Sequence, residues 1–236
     1  MAESQVDNLS NNILISLLHC ACVCYFTLLT ANLVTNFLRS PVSQAKDTLP
    51  DVLALICLYL GAIACSASQL LVRFWQWLDY AGVIVLIWAS AVPFVYFQFY
   101  FEKWTLPFIM FVISLGGARC IASVVYAQQP EMSRKICVGF GLCVLIPAVY
   151  AGIRNSNCRY PLAAEFVKYS ICNLTGGLFY ILELPDRWTL RPSLRINHFI
   201  MHAAIVGSVV AFSGKLLAAY LSPGVSSSME CRRWSW

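Results

Sequence analysis

Over 236 residues the chain is 59% hydrophobic and only 11% charged, with a mean hydropathy of +0.69. That leaves too little polar surface to cover a water-soluble globule, so the class is an integral, multi-pass membrane protein. The net charge of +5 is modest and its lysines and arginines are spread over short loops, which argues against nucleic acid and leaves membrane lipids and hydrophobic small molecules as partners.

Met1 to Asn12 is polar and slightly acidic, and the apolar run behind it is too long for the core of a signal peptide, so no cleaved leader is expected. Seven apolar segments follow. The first runs from about Ile13 to Leu38, and the polar link SPVSQAKDTLPD separates it from the second, about Val52 to Val72. The third, about Leu78 to Phe101, carries Asp79 at its start and Pro93 as a kink. The fourth covers about Leu106 to Ala127, and the fifth about Ile136 to Ile153 with Pro147 inside. The sixth, about Leu162 to Leu182, is the most polar, with Glu165, Lys168, Asn173 and Thr175; the seventh runs from Asn197 to Leu221. Each is close to the roughly 20 residues that a helix needs to cross hydrocarbon, which predicts an all-α, seven-helix membrane bundle forming one domain.

Seven crossings put the termini on opposite sides. Loops on the amino-terminal side hold Arg73, Arg134, Lys135, Arg187, Arg191 and Arg195; the other side holds Arg39, Lys46, Lys103, Arg154, Arg159, Arg232 and Arg233. So even a division sets no orientation by the positive-inside rule. Of eleven cysteines, nine lie in or beside apolar runs and read as small buried hydrophobes. Cys158 and Cys231 fall on one side of the membrane and form the candidate disulfide.

The last segment opens with His198 and His202, four residues apart and therefore on one helical face. Ionisable groups at that depth are costly unless they meet a partner, water or a metal, so the pair marks a candidate functional site. Glu165 and Lys168, three apart near a helix end, read as an interfacial ion pair.

Several pieces in fixed order resemble the progestin and adipoQ receptor group, which includes adiponectin receptors and hemolysin III-like proteins. VDNLSNNI is similar to that family's Asn-rich entry, through Asn8, Ser10, Asn12 and Ile13. WLDYAGVIVLIWASAVPF resembles its Leu-Asp-Tyr signature, through Asp79, Tyr80, Ser90 and Pro93. GGLFYILELPDRW and NHFIMH resemble its sixth-helix exit and terminal histidine pair. The resemblance implies a zinc site of three histidines, one of them on the second helix four residues after a serine. Ser66 matches the serine, but the residue four later is Leu70, and the adjacent Gln69 is no equivalent ligand. The only other histidine is His19, on the first helix, where the family has no ligand.

Zinc enzymes use three protein ligands and an open position that acidifies a bound water. Asp79 is the candidate third ligand beside His198 and His202 if zinc is retained. Without zinc, which is the preferred reading, a carboxyl group in hydrocarbon can stay protonated and act as a general acid, with a nearby histidine to position it. The third and fourth segments add Trp75, Trp77, Tyr80, Trp88, Phe94, Tyr96, Phe97, Phe99, Tyr100, Phe101 and Trp104, whose ring faces stabilise cations. Candidate catalytic residues are thus Asp79, His198, His202 and Ser66, in an enzyme that protonates and cyclises an isoprenoid. The alternatives are a zinc-dependent lipid amide hydrolase, as the ceramidase-type relatives imply, and a non-catalytic receptor for a hydrophobic ligand.

Overall fold

The computed structural model describes residues 2–39, 42–71, 76–100, 102–127, 129–153, 162–182, 184 and 196–221. Cys158, Cys231, Trp75 and Phe101, together with the PDRW turn, lie outside these residues. Among the described residues there are seven α-helices and no strand: α1 (Ala2–Arg39), α2 (Val42–Leu71), α3 (Gln76–Gln98), α4 (Thr105–Ala127), α5 (Pro130–Ile153), α6 (Leu162–Ile181) and α7 (Ile196–Leu221). The expected seven-helix bundle is found.

Three helix starts differ from expectation: α1 begins at Ala2, eleven residues before the expected Ile13, so the polar entry is part of the helix. α2 begins at Val42, so most of the supposed polar link is helix; Gln44, Ala45 and Lys46 are good helix formers, and Pro50 sits eight residues in, where it removes one backbone hydrogen bond without ending the helix. α5 begins six residues early because Pro130 is suited to the first helical turn and Glu131 favours the positive end of the helix dipole. Six helices are long and apolar enough to cross a membrane by length and composition alone. α6 is the exception, although its 20 residues give about 30 Å at 1.5 Å per residue, and it lies between α5 and α7.

The helix at the centre is α3, which packs against α2, α4, α5 and α6, while α1 and α7 meet to close the other side. Its interior positions Ile84, Phe94 and Val95 are fully buried, whereas Leu28, Leu60, Phe108 and Phe111 on other helices point outward as a lipid-facing surface. Without a hydrophobic drive between helices in lipid, close approach depends on small residues. At Gly176 a Cβ would lie 2.7 Å from Ala204 Cβ, so α6 and α7 meet nearly backbone to backbone. Gly82 and Ser68 make the corresponding close contact between α3 and α2.

Candidate functional site

On α1 the buried residues Ile15, His19, Cys22, Phe26 and Leu33 recur every three, four or seven positions and form one stripe. His19 is fully buried in that stripe, and its Nε2 lies 3.0 Å from His202 Nδ1 on α7. The other nitrogen of His202, Nε2, lies 3.0 Å from His198 Nε2 one turn earlier on the same helix. The rings meet edge to face, with centroids 4.9 Å apart for His19 and His202 and 4.4 Å for His198 and His202. Three imidazoles therefore form a chain with His202 in the middle. A neutral imidazole has one N–H, so His202 donates through one nitrogen and accepts through the other, and the chain runs in one direction.

That arrangement bears on the zinc expected from the resemblance. Zinc needs nitrogens from all ligands within about 2.0–2.1 Å of one point. His202 turns a different nitrogen, in a diverging direction, to each neighbour, so no point receives all three imidazoles. Among the described residues no group of three or more His, Cys, Asp or Glu is arranged to hold a metal ion. The residues present do not fit a three-ligand zinc site.

Asp79 does not join the histidines. None of its hydrogen bonds or ion pairs among the described residues is with one, so the expected His198–His202–Asp79 set is not brought together. Instead Asp79 lines a cavity of about 100 Å³ between α3, α5, α6 and α7. Val83, Leu86, Ile87, Val138, Val144, Leu174, Met201 and Ile205 form part of its apolar wall. Its polar groups sit at two levels. Asp79, Tyr80, Arg134 and Tyr180 lie near one end of their helices, and Ser90, Tyr169, Ser170 and Asn173 lie deeper. From Asp79 to Ser90 along α3 is about 16 Å at the helical rise.

At the outer level, Arg134 hydrogen-bonds Tyr80 and lies 4.6 Å from the centre of the Tyr180 ring, a cation–π contact. Tyr180 in turn faces His198, with ring centroids 5.4 Å apart. The histidine chain and the cavity are thus neighbours, joined by Tyr180, but the three imidazoles are not part of the cavity wall. Among the described residues, Asp79 Oδ1 is buried without a hydrogen-bond partner.

The aromatic chamber expected from α3 and α4 is differently built. Among the described rings of that set only Tyr80 lines the cavity; its other aromatic walls are Phe166, Tyr169 and Tyr180 of α6. Phe94 is fully buried behind Phe166, stacked on it at 4.3 Å, and Trp88 donates to Ser114 Oγ at 3.0 Å. Tyr96 meets Phe97 and Tyr100 near the far end of α3, and Trp104 is 88% exposed. The reason is orientation: a single helix turns its rings to all sides, and α3 has neighbours on several of them.

Ser66 is buried on α2 in contact with Cys22 of α1, outside the cavity wall, as a helix-packing serine would be. Leu70, where the resemblance implies a histidine, is 40% exposed. Lys168 and Glu165 form the expected ion pair, 2.6 Å apart. The nine described cysteines are free thiols.

Comparison with known proteins decides the family. The model described as Haemolysin-III related matches residues 6–213. The chain belongs to that family. It is 30% identical over 176 residues to the heptahelical transmembrane protein ADIPOR2 of Oryza sativa subsp. japonica, covering 67% of this chain and 75% of the relative. Identity to the adiponectin receptor protein of Drosophila melanogaster is 25%, over 57% of this chain and 33% of the relative. To progestin and adipoQ receptor family member 3 of Homo sapiens it is 26%, over 66% and 55% respectively. The chain thus spans three quarters of the rice protein but only a third to about half of the other two. In this chain the third histidine of the cluster is His19 of α1, the helix on which the resemblance implies no ligand.

Proposed function

We propose that this haemolysin-III related protein is a membrane enzyme that uses Asp79 as an intramembrane acid on a hydrophobic substrate held in the cavity, with protonation-initiated cyclisation of an isoprenoid as its reaction. One observation carries the reading: a buried carboxyl oxygen without a hydrogen-bond partner in the wall of a largely apolar cavity. Such an oxygen is ready to give its proton to a weak base that water would otherwise outcompete. Transfer of the Asp79 proton to an alkene carbon leaves a carbocation on the substrate and a carboxylate on the enzyme. The faces of Tyr80, Phe166, Tyr169 and Tyr180 can stabilise that cation, by about 2 kcal/mol or more per well-placed ring in a dry site. Ring closure moves the charge along the chain, and loss of a proton from a carbon next to the final cation returns it to Asp79, so the product is an isomer of the substrate.

Zinc-dependent amide hydrolysis is less supported, because the histidines are engaged with one another and lie outside the cavity wall. The receptor reading draws on the printed names of the relatives, and a cavity that binds a hydrophobic ligand without turning it over would serve it equally. The deciding experiment is turnover of isoprenoid substrates by detergent-purified protein. Asp79→Asn is expected to abolish turnover while the protein stays folded by circular dichroism and thermal unfolding. Full activity in that variant, or ligand binding without turnover in the unaltered protein, overturns the enzyme assignment to Asp79.

A further inference from the structure

The deep level of the cavity has chemistry of its own. Tyr169, Ser90 and Asn173 all line the cavity at this level, and Ser90 Oγ donates to Ile87 O at 2.9 Å. Asn173 Nδ2 donates to Tyr169 O, one turn earlier on α6, at 3.0 Å, which leaves its oxygen as the free end of the amide. That oxygen, Asn173 Oδ1, is buried without a partner, and Asn173 lines the cavity. An amide oxygen accepts and cannot donate, so the group that satisfies it must carry an O–H or N–H. Leaving such an acceptor unpaired costs about 1–3 kcal/mol, which a ligand that donates to it recovers.

Asn173 lies seven residues along α6 from Tyr180, which shares the outer level with Asp79, so the two oxygens are separated by about 10 Å along the helices, with apolar side chains such as Val83 and Val138 between them. We propose that the cavity selects an isoprenoid alcohol, whose hydroxyl donates to Asn173 Oδ1 while its hydrocarbon chain extends toward Asp79. This rests on the cavity being the substrate site. Asn173 is then a specificity residue, and the acid meets the chain away from its hydroxyl end.

The test is a binding titration of the detergent-purified full chain by native mass spectrometry, with farnesol and farnesyl methyl ether as probes. The two have the same chain, and only the alcohol can donate. The unaltered protein is expected to bind farnesol about tenfold more tightly, the worth of one buried hydrogen bond. Asn173→Leu should remove the preference by weakening farnesol alone, and Asn173→Asp, which keeps an acceptor at the same place, should restore it. No preference in the unaltered protein overturns the proposal. So does a preference that survives Asn173→Leu but disappears in Asp79→Asn, since the hydroxyl would then sit at the acid. Gly141 lines the cavity with only Ile87 and Leu174 side chains at 3.8 Å, so Gly141→Leu should weaken both probes. If Gly141→Leu leaves both affinities intact, the cavity is not the binding site and the acid–base reading falls as well. If it weakens both while the unaltered protein shows no preference, only the assignment of Asn173 falls.

Discussion

His19 contributes one imidazole and one hydrogen bond, yet it joins the first helix to the last. Replacing it with alanine leaves His202 Nδ1 buried and unpaired, so His19→Ala should lower stability in detergent by about 1–3 kcal/mol, read from thermal unfolding. Removing His202 as well should cost less than the two single losses added, with a coupling of about 0.5–3 kcal/mol in a double-mutant cycle. Additive losses would mean that the two rings merely occupy space. The pair His198 and His202 was legible in the sequence because a spacing of four fixes one helical face. His19 was not, because α1 is apolar on all sides and shows no polar face from which its inward stripe could be told. The stripe Ile15, His19, Cys22, Phe26, Leu33 becomes visible only when α2 and α7 are seen to cover it.

At the scale of helices, hydropathy runs were a sufficient guide to number and order, because each span must fill the same hydrocarbon thickness. They were a poor guide to ends, since a helix can continue past the apolar run into water, as α1 and α2 do. Nor do they report how closely two helices approach. At Gly176 a Cβ would also lie 3.4 Å from Met201 Cα, which is backbone and cannot turn aside. Gly176→Leu should therefore push α6 and α7 apart and cost about 1–3 kcal/mol by overpacking. Gly207 on α7 supplies the control: nothing lies within 4 Å of its added Cβ, and Gly207→Ala should be neutral or stabilising by up to about 1 kcal/mol from helix propensity. Equal losses in the two variants would show that the effect is generic to glycine and unrelated to the α6–α7 approach. The same approach matters for the site, because α6 and α7 supply Tyr169, Asn173, Tyr180 and Met201 to one cavity.

Over the whole molecule, the bundle keeps Asp79 and the three histidines in separate places, the first in the cavity wall and the others in a chain beside it. Asp79 was picked out by its position at the start of an apolar segment, but its neighbours were not, since the wall of the cavity is drawn from four helices widely separated in sequence. A reading along one segment therefore paired Asp79 with aromatic residues of its own helix and with the histidines of the last, whereas folding gives it α5 and α6 and gives the histidines α1. This division makes a prediction about metal. If the acid–base chemistry belongs to Asp79 and the imidazoles only hold each other, dialysis against a strong zinc chelator should leave both turnover and the unfolding temperature unchanged, and His19→Ala should alter stability more than it alters turnover. Loss of turnover on chelation, with recovery when zinc is returned, would require His202 to turn one nitrogen away from its present partner and toward a common ion. The reaction would then belong with hydrolysis by metal-bound water, and Asp79→Asn would be expected to reduce turnover without abolishing metal binding.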